Sequence, residues 1–370
     1  MNIMFDRRLA HCFDWGLLIT VAILCTLGLT VIWSAAGPDP ESPMKVLCLR
    51  QGIWYMAGCT VMTAIFLSDY RKMDSWAYVF YAISILLLLA VLFFGKYAGG
   101  SRRWLALGPL TLQPSETVKI AVIIVLARCY SRRIRTRGLT LRDMAWPAIL
   151  TLIPFCLIVK QPDLGTAMIV FLIAGSMTLF MKIEKKTLVL IAFAGILTAA
   201  AGWFFLKDYQ RQRIMTFLDP EHDPLGAGYH IIQSKIAIGS GMLFGKGYLK
   251  GTQNTLAFLP EQHTDFIFAV LAEEWGFAGS LFLVLLFMIL IFWGLNIAYQ
   301  CRTPFGTILS VGVTAMIFWQ SVINLAMVMG LLPVVGVPLP LISYGGSSVL
   351  TIMICIGILM SVSMRRFVTE

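Results

Sequence analysis

Charge is what this sequence has least of: only 13% of its 370 residues are Asp, Glu, Lys or Arg, against roughly 25% in soluble domains. A soluble fold of this length has no way to hide so much apolar surface without exposing large patches. Metal-site and disulfide signatures are also missing. The eight cysteines (12, 25, 48, 59, 129, 156, 301 and 355) contain no CxxC pair, and most lie in apolar runs, where Cys behaves as a small hydrophobe. There is no HExxH pair, P-loop or GxSxG nucleophile elbow, so any catalysis falls to carboxylates and cations without a covalent nucleophile.

What is present is hydrophobic, at 58% of the chain. A bilayer-crossing helix needs about 20 mostly apolar residues, and ten runs approach that length: 16–33, 52–67, 76–94, 115–128, 145–159, 164–181, 187–206, 266–297, 308–332 and 347–363. The first follows Arg7 and Arg8 and precedes Ser34-Ala35-Ala36, like a signal peptide. It is longer than a typical signal core and many equivalent runs follow it, so a retained first helix is expected. The fold class predicted is an all-α integral membrane protein of about ten transmembrane helices, with residues 1–370 forming one polytopic membrane domain.

The formal net charge of +10 suggests nucleic acid until its placement is considered. With the N-terminus inside, the cytoplasmic segments hold Arg7, Arg8, Arg71, Lys72, Arg128, Arg132, Arg133, Arg135, Arg137, Arg142, Lys182, Lys185, Lys186, Arg302, Arg365 and Arg366. The short outer segments hold Lys45, Arg50, Lys96, Arg102, Arg103, Lys119 and Lys160, seven against sixteen. Cationic loops stay inside, so both termini are expected in the cytoplasm.

One connection is exceptional, the extracytoplasmic loop 207–264 between helices seven and eight. Loops of this length are usually functional. It carries Gly239, Gly241, Gly245, Gly247 and Gly251, and a stretch in which Ile231, Ile232 and Ile238 share a helical face with Lys235 opposite, as in an interfacial helix.

Polar residues concentrate at the outer helix ends. Arg103 and Trp104 lead into Gln113-Pro114-Ser115-Glu116 and Lys119. Ser115 suits an N-cap, and Glu116 and Lys119, three apart, either close a local salt bridge or leave Lys119 to bind an anion with Arg103. Gln161-Pro162-Asp163 forms a tight turn in which Asp163 either caps the next helix or serves chemistry. Glu261, His263, Thr264 and Asp265 gather where another helix begins, and a carboxylate there is favoured by the helix dipole. The stretch 333–348, with Ser343 and several Pro and Gly, cannot be a plain helix, so protein must shield it or it must line a cavity. Glu273 and Glu274 lie inside the long eighth run, and Asn324 is a lone amide in the ninth, where a helix–helix hydrogen bond is expected.

Together, Gln113-Pro114-Ser115-Glu116, Gln161-Pro162-Asp163-Leu164-Gly165-Thr166, His263-Thr264-Asp265-Phe266-Ile267-Phe268 and Pro340-Leu341-Ile342-Ser343-Tyr344-Gly345-Gly346-Ser347 resemble the SEDS family of cell-wall proteins. The segment Asp219 to Gly241 is closer to the family's elongation branch than to its division branch. The resemblance implies a peptidoglycan glycosyltransferase that polymerises lipid II at the outer face of the bacterial cytoplasmic membrane during cell elongation. It implies that Asp265 is essential, with general base as the simplest role. Substrate contacts are then expected from Arg103, Trp104, Gln113, Glu116, Lys119, Gln161, His263 and Ser343, with Arg211 and Arg213 as further cations. A divalent cation, Mg or Mn, is expected near Asp163 and Asp265. Implied partners are undecaprenyl-pyrophosphate-linked glycan, a class B penicillin-binding protein and the Mre elongation complex. Two other classes stay open, a lipid II flippase and a non-catalytic scaffold for a penicillin-binding protein.

Overall fold

A computed structural model describes residues 13–37, 45–98, 101–107, 110–133, 138–205, 208–219, 227–252 and 263–366. The ten apolar runs all become helices: α1 (Trp15–Ala35), α2 (Lys45–Leu67), α3 (Arg71–Phe94), α4 (Pro114–Ser131), α5 (Leu141–Lys160), α6 (Leu164–Phe180), α7 (Lys185–Phe205), α10 (Ile267–Gln300), α11 (Pro304–Val328) and α12 (Gly346–Met364). Between α7 and α10 lie α8 (Asp208–Leu218) and α9 (Ala227–Ser240). Six of these, α1, α3, α5, α10, α11 and α12, are long and apolar enough to cross a membrane. The protein is an all-α membrane protein, with one addition that the hydropathy pattern missed. Strands β1 (Lys96–Ala98), β2 (Ser101–Leu107) and β3 (Leu110–Leu112) form an antiparallel sheet in the order β1-β2-β3.

Burial sorts the helices into shells. α12 is almost wholly buried and α11 largely so, whereas α3 and α5 turn most of their surface outward. α4 is as enclosed as α12 despite carrying Glu116 and Lys119. A helix buried on all sides is the core of its bundle. α12 packs on α2, α11 on α4, α6 and α10, and α1 on α10.

α10 is one 34-residue helix broken at Gly276, whose φ of 66° and ψ of −159° leave the helical region. Such a break frees backbone groups that lipid cannot satisfy. The segment 241–250 satisfies them instead. The Lys246 and Gly247 N–H groups donate to the Glu273 and Glu274 carbonyls, both at 3.0 Å, and Phe277 and Ala278 donate to the Met242 and Leu243 carbonyls at 2.8 and 3.0 Å. The fit needs glycine, because a Cβ at Gly245 (φ 76°) would collide with the Glu274 carbonyl. Glu273 is fully buried and accepts from the Lys246 ammonium (2.7 Å) and the Thr252 backbone (2.8 Å), while Ser34 of α1 donates to Glu274.

α9 also differs from the expected interfacial helix. Its buried face is Gly228, Ile231, Ser234 and Ala237, which dock on α10 and α11, and Ser234 donates to the Val328 carbonyl at 2.6 Å. Ile232 and Ile238 are only half-buried.

Candidate active site

Between α11 and α12 the chain runs without helix from Pro333 to Gly345, yet Val337, Leu339, Leu341, Ile342 and Ser343 are buried. Irregular backbone survives at membrane depth only when protein supplies its partners, and several of those partners are identifiable here. Tyr55 of α2 donates to the Leu341 carbonyl (2.5 Å). The Gln51 side chain donates to the Ser343 carbonyl and accepts from the Gly345 N–H, both at 3.2 Å. Asn324 donates to the Val337 carbonyl (2.7 Å) and to the Asp265 carbonyl (3.0 Å). The Ser343 hydroxyl accepts from the Leu339 N–H (2.8 Å) and donates to the Thr264 carbonyl (2.6 Å).

This segment therefore holds the turn that carries Asp265. The Tyr344 N–H donates to the His263 carbonyl (2.9 Å), and the two rings lie edge to face at 6.1 Å. Gly336, at φ 71°, lets the backbone pass close to the Asp265 carboxylate; a Cβ there would stand 3.4 Å from Oδ2. The cap position of α10 is Phe266, one residue after Asp265. The carboxylate is half-buried at the helix entrance.

A second cluster surrounds Asp163. Its carboxylate caps α6 by accepting from the Thr166 N–H at 3.4 Å. It also accepts from Gln113 Nε2 (3.3 Å) and the Ser115 hydroxyl (3.4 Å), and Arg103 lies 3.7 Å away. Arg103 additionally donates to the Pro162 carbonyl. Capping and clustering thus coincide at Asp163. Ser115 is not the expected N-cap, since Gln113 holds that position and Pro114 begins α4. Lys119 is fully buried and donates to Glu116 at 2.7 Å, so the local salt bridge that the spacing allowed is present. Gln161, also buried, ties this turn to α3 by donating to the Leu88 carbonyl (2.9 Å).

The two clusters share one end of the bundle. Ser347, at the start of α12, accepts from the Gln113 N–H (3.3 Å). Val335 packs on Gly165 of α6, and its neighbour Gly336 faces Asp265. Arg103, with its side chain 24% exposed, and the half-buried Trp104 and His263 form the accessible rim. Arg211 of α8 donates to the Phe204 carbonyl near the end of α7 (3.2 Å). Glu261 lies outside the described residues. Gln51 and Tyr55 were missed by the sequence reasoning; an amide at the edge of an apolar run was the available signal.

The expected divalent cation meets an obstacle at Asp163. Its oxygens face N–H and O–H donors at 3.3–3.4 Å, and the Arg103 guanidinium already lies 3.7 Å away, a positive charge that disfavours a second cation there. Among the described residues, no group of three or more His, Cys, Asp or Glu gathers as a metal site.

The sequence matches a family model described as "Cell cycle protein", FtsW/RodA/SpoVE, over residues 15–367. The chain belongs to this family. It is 47% identical to "Peptidoglycan glycosyltransferase MrdB" of Escherichia coli K12, covering 96% of this chain and 94% of that one. It is 33% identical to "Peptidoglycan glycosyltransferase RodA" of Treponema pallidum, covering 96% and 98%. Among solved structures, a chain of a peptidoglycan synthase complex, described under the heading of coordinated polymerization and crosslinking, superposes with a TM-score of 0.82 at 34% identity over 96% of this chain and 98% of that one. The crystal structure of Thermus thermophilus rod shape determining protein RodA superposes at 0.72, with 31% identity over 96% and 98%.

Proposed function

We propose that this member of the FtsW/RodA/SpoVE family is a peptidoglycan glycosyltransferase that polymerises lipid II, with Asp265 as its base. The observation that carries the reading is the placement of Asp265. It is a half-buried carboxylate one residue before the cap position of α10, fixed at its backbone by Asn324 (3.0 Å) and faced by a glycine, at the same bundle end as the cationic Arg103.

In the reaction, Asp265 takes the proton from the acceptor sugar's 4-hydroxyl as that oxygen bonds to the donor's anomeric carbon. The carbon–oxygen bond to undecaprenyl pyrophosphate breaks, and the pyrophosphate departs with the electron pair. An α-linked donor and β-linked product make this an inversion in one displacement. Arg103 receives the developing phosphate charge, since its guanidinium stands at the rim with a fork suited to phosphate oxygens. A divalent cation, Mg or Mn, belongs to this proposal as the pyrophosphate's own counterion and not as a ligand of Asp163. The buried Lys119, Glu116, Gln161 and Ser343 are supports for the site.

The positive-inside distribution supports both termini in the cytoplasm of a bacterium and the Asp265 end at the outer face of its inner membrane. The solved synthase complex supports a class B penicillin-binding protein as partner; the Mre elongation complex is the further partner that the elongation branch implies.

The test is to reconstitute the purified protein with its penicillin-binding protein and supply labelled lipid II. Glycan chains sensitive to muramidase support the reading. Transfer of lipid II between leaflets without chains would replace it with the flippase reading.

A further inference from the structure

α4 and α11 run antiparallel. The start of α4, at Gln113, and the end of α11, at Asn324, both lie at the site end of the bundle. Their register is fixed where Gly312 faces Ile123, 2.7 Å from a Cβ built on the glycine. One turn along α11 to Met316 therefore meets one turn back along α4 to Lys119, and a further turn brings Gln320 level with Glu116. Cys355 of α12 confirms the level, since its sulfur is 3.9 Å from Met316 Sδ and within electrostatic reach of both Lys119 and Glu116.

At that level several polar atoms are sealed from solvent. Gln320 is 0% exposed, and neither its amide oxygen nor its nitrogen has a hydrogen-bond partner among the described residues. Glu116 Oε2 is in the same condition, and Lys119 spends one of its three N–H donors, on Glu116 Oε1. Buried polar groups left without partners are costly, and a buried ion pair is tolerated only when its remaining donors and acceptors are satisfied. The unused groups are complementary but do not bond directly. Buried water commonly makes about three hydrogen bonds to such groups.

We infer that Gln320, Glu116 and Lys119 enclose an internal water site, walled by Met316 and Cys355, and that Gln320 is a positioning residue of the active site. A water there donates to Glu116 Oε2 and Gln320 Oε1 and accepts from Lys119 or Gln320 Nε2. The network pins the first two turns of α4, through Glu116 and Lys119, and the first turn and its N-cap carry Ser115 and Gln113, which hold Asp163. Gln320 thereby ties the Asp163 cluster to the helix whose Asn324 holds the Asp265 turn.

The kinetic half of this proposal rests on the glycosyltransferase reading; the water half does not. The experiment is a brief X-ray pulse on the folded protein in heavy-oxygen water, followed by mass spectrometry of the oxidised side chains. Radicals form from water beside the residue, so bound water marks its neighbours even in a core. Met316 and Cys355, both 0% exposed, are expected to take up oxygen at a rate near that of the exposed Met242, while the equally buried Met177 and Met327 do not. Oxidation of Met316 and Cys355 no faster than of Met177 and Met327 would overturn the water site. In Gln320→Met the labelling is expected to vanish and kcat for glycan synthesis to fall about tenfold, the equivalent of one lost hydrogen bond, at unchanged KM. Gln320→Asn is expected to restore part of both. Labelling retained in Gln320→Met, or lost at full synthetic rate, would overturn the positioning role. Wild-type labelling decides the water site even where a variant does not fold, and it is read without substrate, so failure of the Asp265 mechanism leaves it standing.

Discussion

Two side chains at the site end do work that their chemistry makes specific. Arg103 reaches two different groups, the Asp163 carboxylate and the Pro162 carbonyl, with the fixed, planar spacing of guanidinium donors that a compact ammonium lacks. Arg103→Lys is therefore expected to keep the fold but slow glycan synthesis by about tenfold; lipid II consumption by the purified pair measures it, and an unchanged rate removes Arg103 from the phosphate role. Ser343 bridges the Leu339 N–H and the Thr264 carbonyl in a buried setting. Ser343→Ala leaves both without that bridge, a cost of about 1–3 kcal/mol. The melting temperature in detergent is expected to fall, together with activity, because the Asp265 turn loses its tether.

At the scale of elements, the Gly276 break and the segment that clasps it form one device. Gly245 lies at φ 76° with the Glu274 carbonyl where a Cβ would go, whereas at Gly247 (φ 101°) the nearest atom to a Cβ is the flexible Lys250 chain at 3.4 Å. Both substitutions strain the backbone, but only Gly245→Ala also drives the clasp apart. It is expected to destabilise by more than about 1 kcal/mol and to open residues 241–252 to protease, while Gly247→Ala does less. Equal protease resistance of Gly245→Ala and wild type would contradict the clasp. The break was hard to read in the sequence because the run 266–297 is continuously apolar around it; only the Glu273-Glu274 pair marked it as unusual. The β-sheet was similarly hidden, since three short strands beside charged residues give no periodic signal. Helices were more legible, because apolar length alone identifies them. α9 was found but its face was misjudged: Ser234 and Ala237, not Ile232 and Ile238, turn inward, since small residues permit close packing on α10 and α11.

For the whole molecule, the candidate site was legible as separate polar patches and not as a place. Asp163, Gln113, Asp265, His263 and Ser343 stand out as polar groups at apolar-run ends, and alternating helix direction brings those ends together. What hydropathy does not carry is which atoms bond. Lys119 stood open between a salt bridge and an anion ligand and proves to donate to Glu116 in a buried setting, and Gln51 and Tyr55, which no motif singled out, support the 333–345 segment. Orientation is testable in the same terms. In a chain stripped of native cysteines, Lys250→Cys is expected to react with an impermeant maleimide in intact spheroplasts. Arg302→Cys, exposed beyond the other end of α10, is expected to react only after permeabilisation. The reverse pattern would place the Asp265 end in the cytoplasm and end the lipid II proposal.

The central claim is that Asp265 removes the acceptor proton. The most direct measurement compares wild type with Asp265→Asn, each reconstituted with the penicillin-binding protein, each first checked for folding and complex formation, and each given the same labelled lipid II. Loss of a general base costs about 10²–10⁴-fold in rate, so glycan chains are expected from wild type and only traces from Asp265→Asn. Equal chains from the two proteins would contradict the account.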